Sequence, residues 1–267
     1  MSGHPTDHKQ HPYHLVDPSP WPLMGAASVF TMALGGVIYM HEKSLWLLLA
    51  GTILVLATMG VWWRDVVREG GAPNHHTHEV RIGLREGMAL FIASEVMFFV
   101  AFFWAFFHNA LRVNPQITQW PPEGIVPLET WSLPFWNTLI LLGSGATLMW
   151  GMRGFLKQGN RRRLVNGLAL SIVLGFLFLA LQIYEYGHAA FAFRQGIYPS
   201  VFYMATGFHG FHVLVGASFL TVCLFRARAG HFQPERHVGL QAAEWYWHFV
   251  DIVWLFLFSW VYWWGGG

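Results

Sequence analysis

Residues 89–107 read ALFIASEVMFFVAFFWAFF, and every one except Glu95 is apolar or small. A stretch this long suits the hydrocarbon core of a bilayer, which about 20 helical residues cross. It must be helical, because lipid offers no hydrogen bonds to an open backbone. Glu95 stands ten residues beyond Arg85. At the α-helical rise that is about 15 Å, near the middle of the membrane. An isolated carboxylate there is costly, so Glu95 is expected to be protonated or partnered. Two purposes fit it: an intramembrane functional carboxyl, or a neutral hydrogen bond that fixes how two helices pack.

The rest of the chain has the same character. Of its 267 residues, 54% are hydrophobic and 11% charged, against about 25% charged in ordinary soluble domains. The sequence predicts an all-α, polytopic membrane protein. Seven apolar stretches, near 21–40, 44–63, 83–110, 134–152, 164–187, 198–225 and 240–263, are long enough to span. The short connection HEKS makes the first two a hairpin. The expected organisation is a tail over 1–20, a two-helix hairpin over 21–63, an inner loop over 64–82 and a five-helix bundle over 83–267. The start of the chain has neither the apolar core of a signal peptide nor the arginines of a transit peptide. A single cysteine, Cys223, excludes an internal disulfide.

Charge orients these spans. With the N-terminus inside, 13 of the 16 basic residues fall on inner segments, and only Lys43, Arg112 and Arg194 lie outside. That bias places the C-terminus outside. Histidine follows the same side: His4, His8, His11, His14, His75, His76, His78, His231 and His237 are all on inner segments. Histidine exchanges protons near neutrality. These residues are either a solvated polar surface or a proton-collecting one.

Further polar residues lie within spans. His209 and His212 share a helical face in ATGFHGFHVLVG, and Glu244, His248 and Asp251 share one in AAEWYWHFVDIVW. Histidine with carboxylate at such spacing suits a metal, or an interhelical hydrogen-bond network joining the sixth and seventh spans. Glu185, close to the outer end of its span, suits a tyrosine hydroxyl or interfacial water as partner. The glycines of GSGA, at 143–146, and Gly207, Gly210 and Gly216 allow close helix approach. An independent transporter with Glu95 as proton carrier is a further reading, although no paired interrupted helices are seen.

Six segments together carry a resemblance: HPYHLVDPSPWPL, WWRDVVREG, GLREGMALFIASEVMFFVAFFWAFFHNAL, WPPEGI, ATGFHGFHVLVG and AEWYWHFVDIVWLFLF. In this order and spacing, over nearly the whole chain, they resemble subunit III of cytochrome c oxidase. The resemblance implies a seven-helix subunit whose first two helices splay from the other five around a cleft holding phospholipid. It implies a place beside the haem–copper subunit I, with subunit II as third core member, in a complex that oxidises cytochrome c, reduces dioxygen to water and pumps protons. Haem and copper are then in the partner subunits and this chain has no catalytic centre. Glu95 matches the intramembrane carboxyl of the family, a target of carbodiimides. Trp62, Trp63, Arg64 and Arg226 fall where lipid headgroups would lie, and a guanidinium suits phosphate. Where many relatives carry a histidine pair after the fourth span, this chain has Gly151 and Met152. A related quinol oxidase is the alternative complex. Arginine outnumbering lysine, 13 to 3, favours a bacterial plasma membrane, the mitochondrial inner membrane being the alternative. No nucleic-acid partner is expected.

Overall fold

The computed structural model describes Tyr13 and residues 16–71 and 76–266. Among these the chain is all-helical. It runs α1 (Trp21–Glu42), α2 (Trp46–Gly71), α3 (His78–Ala110), α4 (Leu133–Gln158), α5 (Arg161–His188), α6 (Ile197–Ala229) and α7 (Val238–Leu257), which continues as a π-helix, Phe258–Trp264. Local sequence sets the ends. Pro22 opens α1, where its missing N–H costs nothing. Asn160 caps α5 by accepting from the Arg163 N–H at 3.0 Å. Gly159 and Gly230 close α4 and α6 in the left-handed conformation.

α1 to α6 are each long and apolar enough to cross a membrane. α7 carries Glu244, His248 and Asp251; with its π-helical extension it runs about 40 Å, long enough to span. The helices overrun the apolar stretches that announce them. α3, at 33 residues, is about 50 Å long, against a hydrocarbon core near 30 Å. Most of the expected inner loop over 64–82 is accordingly helix, α2 continuing to Gly71 and α3 starting at His78. Hydropathy marks what lies in lipid, and a helix need not stop at that boundary.

The chain divides into two compact units, residues 1–84 and 85–267. In the first, α1 and α2 meet backbone to backbone. A Cβ at Gly35 would stand 2.6 Å from the main chain of Leu47 and Leu48, and one at Gly51 would strike the main chain of Met32. The buried hydroxyls of Ser28 and Thr58 lie 3.3 Å apart across this seam. At the end of the hairpin where α1 begins, the Trp21 indole donates to Asp65 Oδ2 at 2.9 Å.

In the second unit α4, α5, α6 and α7 surround a core centred on Trp247, which is fully buried. One edge of its indole fills the space at Gly175 of α5, where a Cβ would be 2.6 Å away; another fills that at Gly216 of α6, where it would be 2.8 Å away. Its Nε1 donates to Ser144 Oγ of α4 at 2.9 Å. Two turns further along α7, Trp254 donates to Thr138 Oγ1 at 2.9 Å. α3 joins through rings: Phe91 stacks on Tyr246, Phe99 meets Phe249 and Phe103 meets Phe256.

Candidate functional site: an intramembrane glutamate and its histidine

Glu95 of α3 is partnered. His212 Nε2, on α6, lies 2.8 Å from Glu95 Oε2. The carboxyl side chain keeps 23% of its surface exposed and the imidazole 7%. Rings of Phe98, Phe99, Phe249 and Tyr246 stand 5.0–6.4 Å from the imidazole. They shut water from one side of the pair, while the carboxyl remains open on the other.

The second ring nitrogen decides the chemistry. His212 Nδ1 sits 2.6 Å from the Phe208 carbonyl oxygen. A carbonyl only accepts, so Nδ1 carries a proton and donates. Nε2 then either accepts from a protonated Glu95 or, itself protonated, donates to the carboxylate. In both arrangements the bond contains one proton and the pair has no net charge. That resolves the difficulty of a carboxylate in lipid without an arginine or lysine: the pair as a whole is neutral, wherever the proton rests.

The other polar residues of the sixth and seventh spans do not join one network, unlike the arrangement expected from their spacing. His212 turns to α3. His248 Nδ1 and Asp251 Oδ2 pair at 3.3 Å within α7. Glu244 stands one helical turn before His248 on the same face of α7. His209 is fully buried, stacked on Trp254 at 5.1 Å with its edge to Phe178, and neither ring nitrogen has a hydrogen-bond partner. It is held as an aromatic filler. Among the described residues no three metal-ligating side chains converge, so the spacing that suited a metal is not matched in space.

Glu185 finds the tyrosine its position suggested. Tyr262 Oη donates to its Oε1 at 2.7 Å, and Gln182 Nε2 lies 3.2 Å from the same atom. Nothing in the sequence singles out Tyr262, because the π-helical turn that aims it inward has no local signature.

The expected lipid-contact residues lie in separate units. Trp62 and Trp63 are exposed, and Arg64 pairs with Asp65 at 3.1 Å. The Arg226 guanidinium lies over the Phe232 ring at 4.6 Å, with Nε buried and unpartnered. His76 is half-buried and His78 exposed; His4, His8, His11, His14 and His75 lie outside the described residues.

Comparison with known proteins agrees over this whole frame. The family model of cytochrome c oxidase subunit III matches residues 11–266. A cytochrome c oxidase subunit 3 from Scyliorhinus canicula is 52% identical over 259 residues, covering 97% of this chain and 99% of that protein. One from Prototheca wickerhamii is 52% identical over 261 residues, and one from Struthio camelus 50% over 259, with the same coverage.

Proposed function

This chain belongs to the cytochrome c oxidase subunit III family, and from that premise we propose that it is a core subunit without a redox centre, serving a proton-pumping oxidase that reduces dioxygen to water. Its partners in this reading are subunits I and II, which hold the haem and copper, and membrane phospholipid. It lies in a respiratory membrane, N-terminus on the proton-uptake side. The bacterial plasma membrane is favoured by arginine usage, with the mitochondrial inner membrane as the alternative, since the relatives named above include an animal and a eukaryotic alga.

The observation that carries this reading is the match along nearly the full length of both chains. The site agrees with it. Glu95 and His212 hold a proton without net charge and so pack two helices stably in lipid.

Two contributions to turnover are proposed. The inner-side histidines speed proton delivery to the catalytic subunit. Phospholipid held at Arg64 with Trp62 and Trp63, and at Arg226, preserves that subunit during turnover. Removing this chain from the purified complex tests both. Haem spectra should persist, proton uptake should slow increasingly as pH rises and protons become scarce, and turnover should inactivate the enzyme sooner. An unchanged pH–rate profile and lifetime would end the proposal. Arg64→Ala with Arg226→Ala should lower the phospholipid retained through purification.

A further inference from the structure

The end of the bundle where α4 turns into α5 gathers positive charge without a local counterion. Between Thr130 and Tyr184 the sequence has five cations, Arg153, Lys157, Arg161, Arg162 and Arg163, and no aspartate or glutamate. Arg161 is committed inside the bundle, its Nε donating to the Ala227 carbonyl at 2.6 Å. Arg163 is held differently. Its stem lies across Gly154 of α4, where an added Cβ would collide with Cδ and stand 2.6 Å from Nε. Its guanidinium lies over the Trp150 ring, 4.6 Å from the centroid.

A long cationic side chain at a membrane surface ordinarily samples many rotamers. Here a glycine makes room for the stem and an indole seats the charge, so the head is fixed in place. Its two terminal amino groups, unlike Nε, are not buried. No carboxylate among the described residues pairs with them. Trp150 is itself exposed and stands one turn before Arg153, where the apolar run of α4 ends, the usual level of an interfacial tryptophan. The surroundings are two-sided. Trp150, Gly154 and Lys157, at i, i+4 and i+7, share one face of α4, and Lys157 is exposed. In the other direction Ala146, one turn before Trp150, and Leu170, two turns past Arg163 on α5, are exposed and apolar.

We propose that this α4–α5 edge binds the phosphodiester headgroup of an anionic phospholipid, with Arg163 as its fixed contact and Trp150 as the platform. The free amino groups of a guanidinium form a fork that matches two phosphate oxygens. Lys157 supplies a second cation on the polar side, as basic headgroup pockets between membrane helices do. Acyl chains run along Leu170 and Ala146. A soluble phosphate offers the same charged group but nothing for the apolar half of the edge. A zwitterionic lipid brings its own ammonium toward cations that already lack a counterion. The site is separate from the lipid contacts at Arg64 and Arg226, which stand on α2 and α6. It needs only that α4 and α5 cross a membrane, whatever complex the chain serves.

The test uses the intact complex in phosphatidylcholine bilayers with a trace of phosphatidylglycerol carrying a diazirine close to its glycerol, and in parallel phosphatidylcholine with the same diazirine. After irradiation, peptide mapping should find residues 142–174 labelled several-fold more by the anionic lipid. Arg163→Gln should bring the two lipids level there. Arg163→Lys should do nearly the same, because an ammonium has no fork. Arg162→Gln removes equal charge from an exposed neighbour and should leave the preference intact. Equal labelling by the two lipids in the unaltered complex would overturn the proposal. So would a preference that survives Arg163→Lys in full, or falls as far with Arg162→Gln, since the summed charge of the turn would then explain it. Millimolar inorganic phosphate should not displace the label; if it does, the site takes a soluble anion and the lipid assignment fails. Trp150→Ala alters an exposed side chain, so it keeps the test open should the Arg163 variants misfold. It should reduce the preference several-fold, and an undiminished preference would count against the site.

Discussion

Both units of this protein use glycine to bring helices together, to different ends. In the α1–α2 hairpin, Gly35 and Gly51 receive main chain from the facing helix. In the bundle, Gly175 and Gly216 receive the indole of Trp247, and Gly145 receives the Asp251 carboxylate. The first arrangement is a close seam between two neighbours. The second is a lock in which one side chain engages three other helices. In lipid, where apolar surface alone gives helices little reason to associate, both gain by van der Waals contact. The second adds buried hydrogen bonds between residues 103 and 116 positions apart.

The sharpest way to break this contrast is Trp247→Ala. It empties the space between two glycines and leaves the Ser144 hydroxyl without its donor, for an expected loss of about 3–5 kcal/mol. Thermal inactivation of the complex measures it. A loss below about 1 kcal/mol would mean that the bundle does not depend on this side chain.

Gly51→Val addresses the hairpin. Its added atoms meet main chain that cannot rotate away, and the expected cost is about 1–3 kcal/mol. Disulfide trapping between Ser28→Cys and Thr58→Cys should fall, with Trp247 fluorescence unaltered. Unchanged trapping would show that the seam has slack.

Glu95→Leu removes the partner of a buried imidazole, for about 1–3 kcal/mol. Glu95→Gln keeps a donor for Nε2 and should cost less. Infrared difference spectra of Glu95→Gln should lose a protonated-carboxyl band. Disappearance of an ionised-carboxylate band instead would place the shared proton on His212.

Asp65→Asn should do least. Its partners Arg64 and Arg68 are solvent-exposed, and exposed pairs contribute little. An asparagine oxygen still accepts from Trp21, so trapping at Ser28 and Thr58 should not change.

The sequence reveals the spans well and their partnerships poorly. Stretches such as Ala89–Phe107 declare themselves because a bilayer requires an unbroken apolar run. Glu95 stands out because it interrupts one. His212 as its partner is hidden: the two are 117 positions apart, and helical spacing relates only residues on one helix. Spacing within a helix joined His212 to α7, while rotation of α6 in space turns it toward α3. The same limit conceals Tyr262 as donor to Glu185, where a π-helical turn changes the direction of a side chain with no mark in the sequence. The histidine and carboxylate spacing that suggested a metal is satisfied along each helix and not between helices.

The position of Trp247 bears on the order in which the protein is made. The hairpin's contacts join segments adjacent in the chain, so α1 and α2 can associate as soon as both have left the ribosome and entered the membrane. α4 and α5 can pair as early, backbone to backbone at Gly151 and Gly167, but the centre of the bundle has no such early closure. Ser144, Gly175 and Gly216 are synthesised first, and the residue that links them arrives with the last helix. A nascent chain halted in the loop before Val238 would carry six helices and an unfilled centre, available to insertion chaperones or membrane proteases. Arrival of the seventh helix and closure of the core are therefore the same event, and quality control of this subunit has a natural checkpoint there.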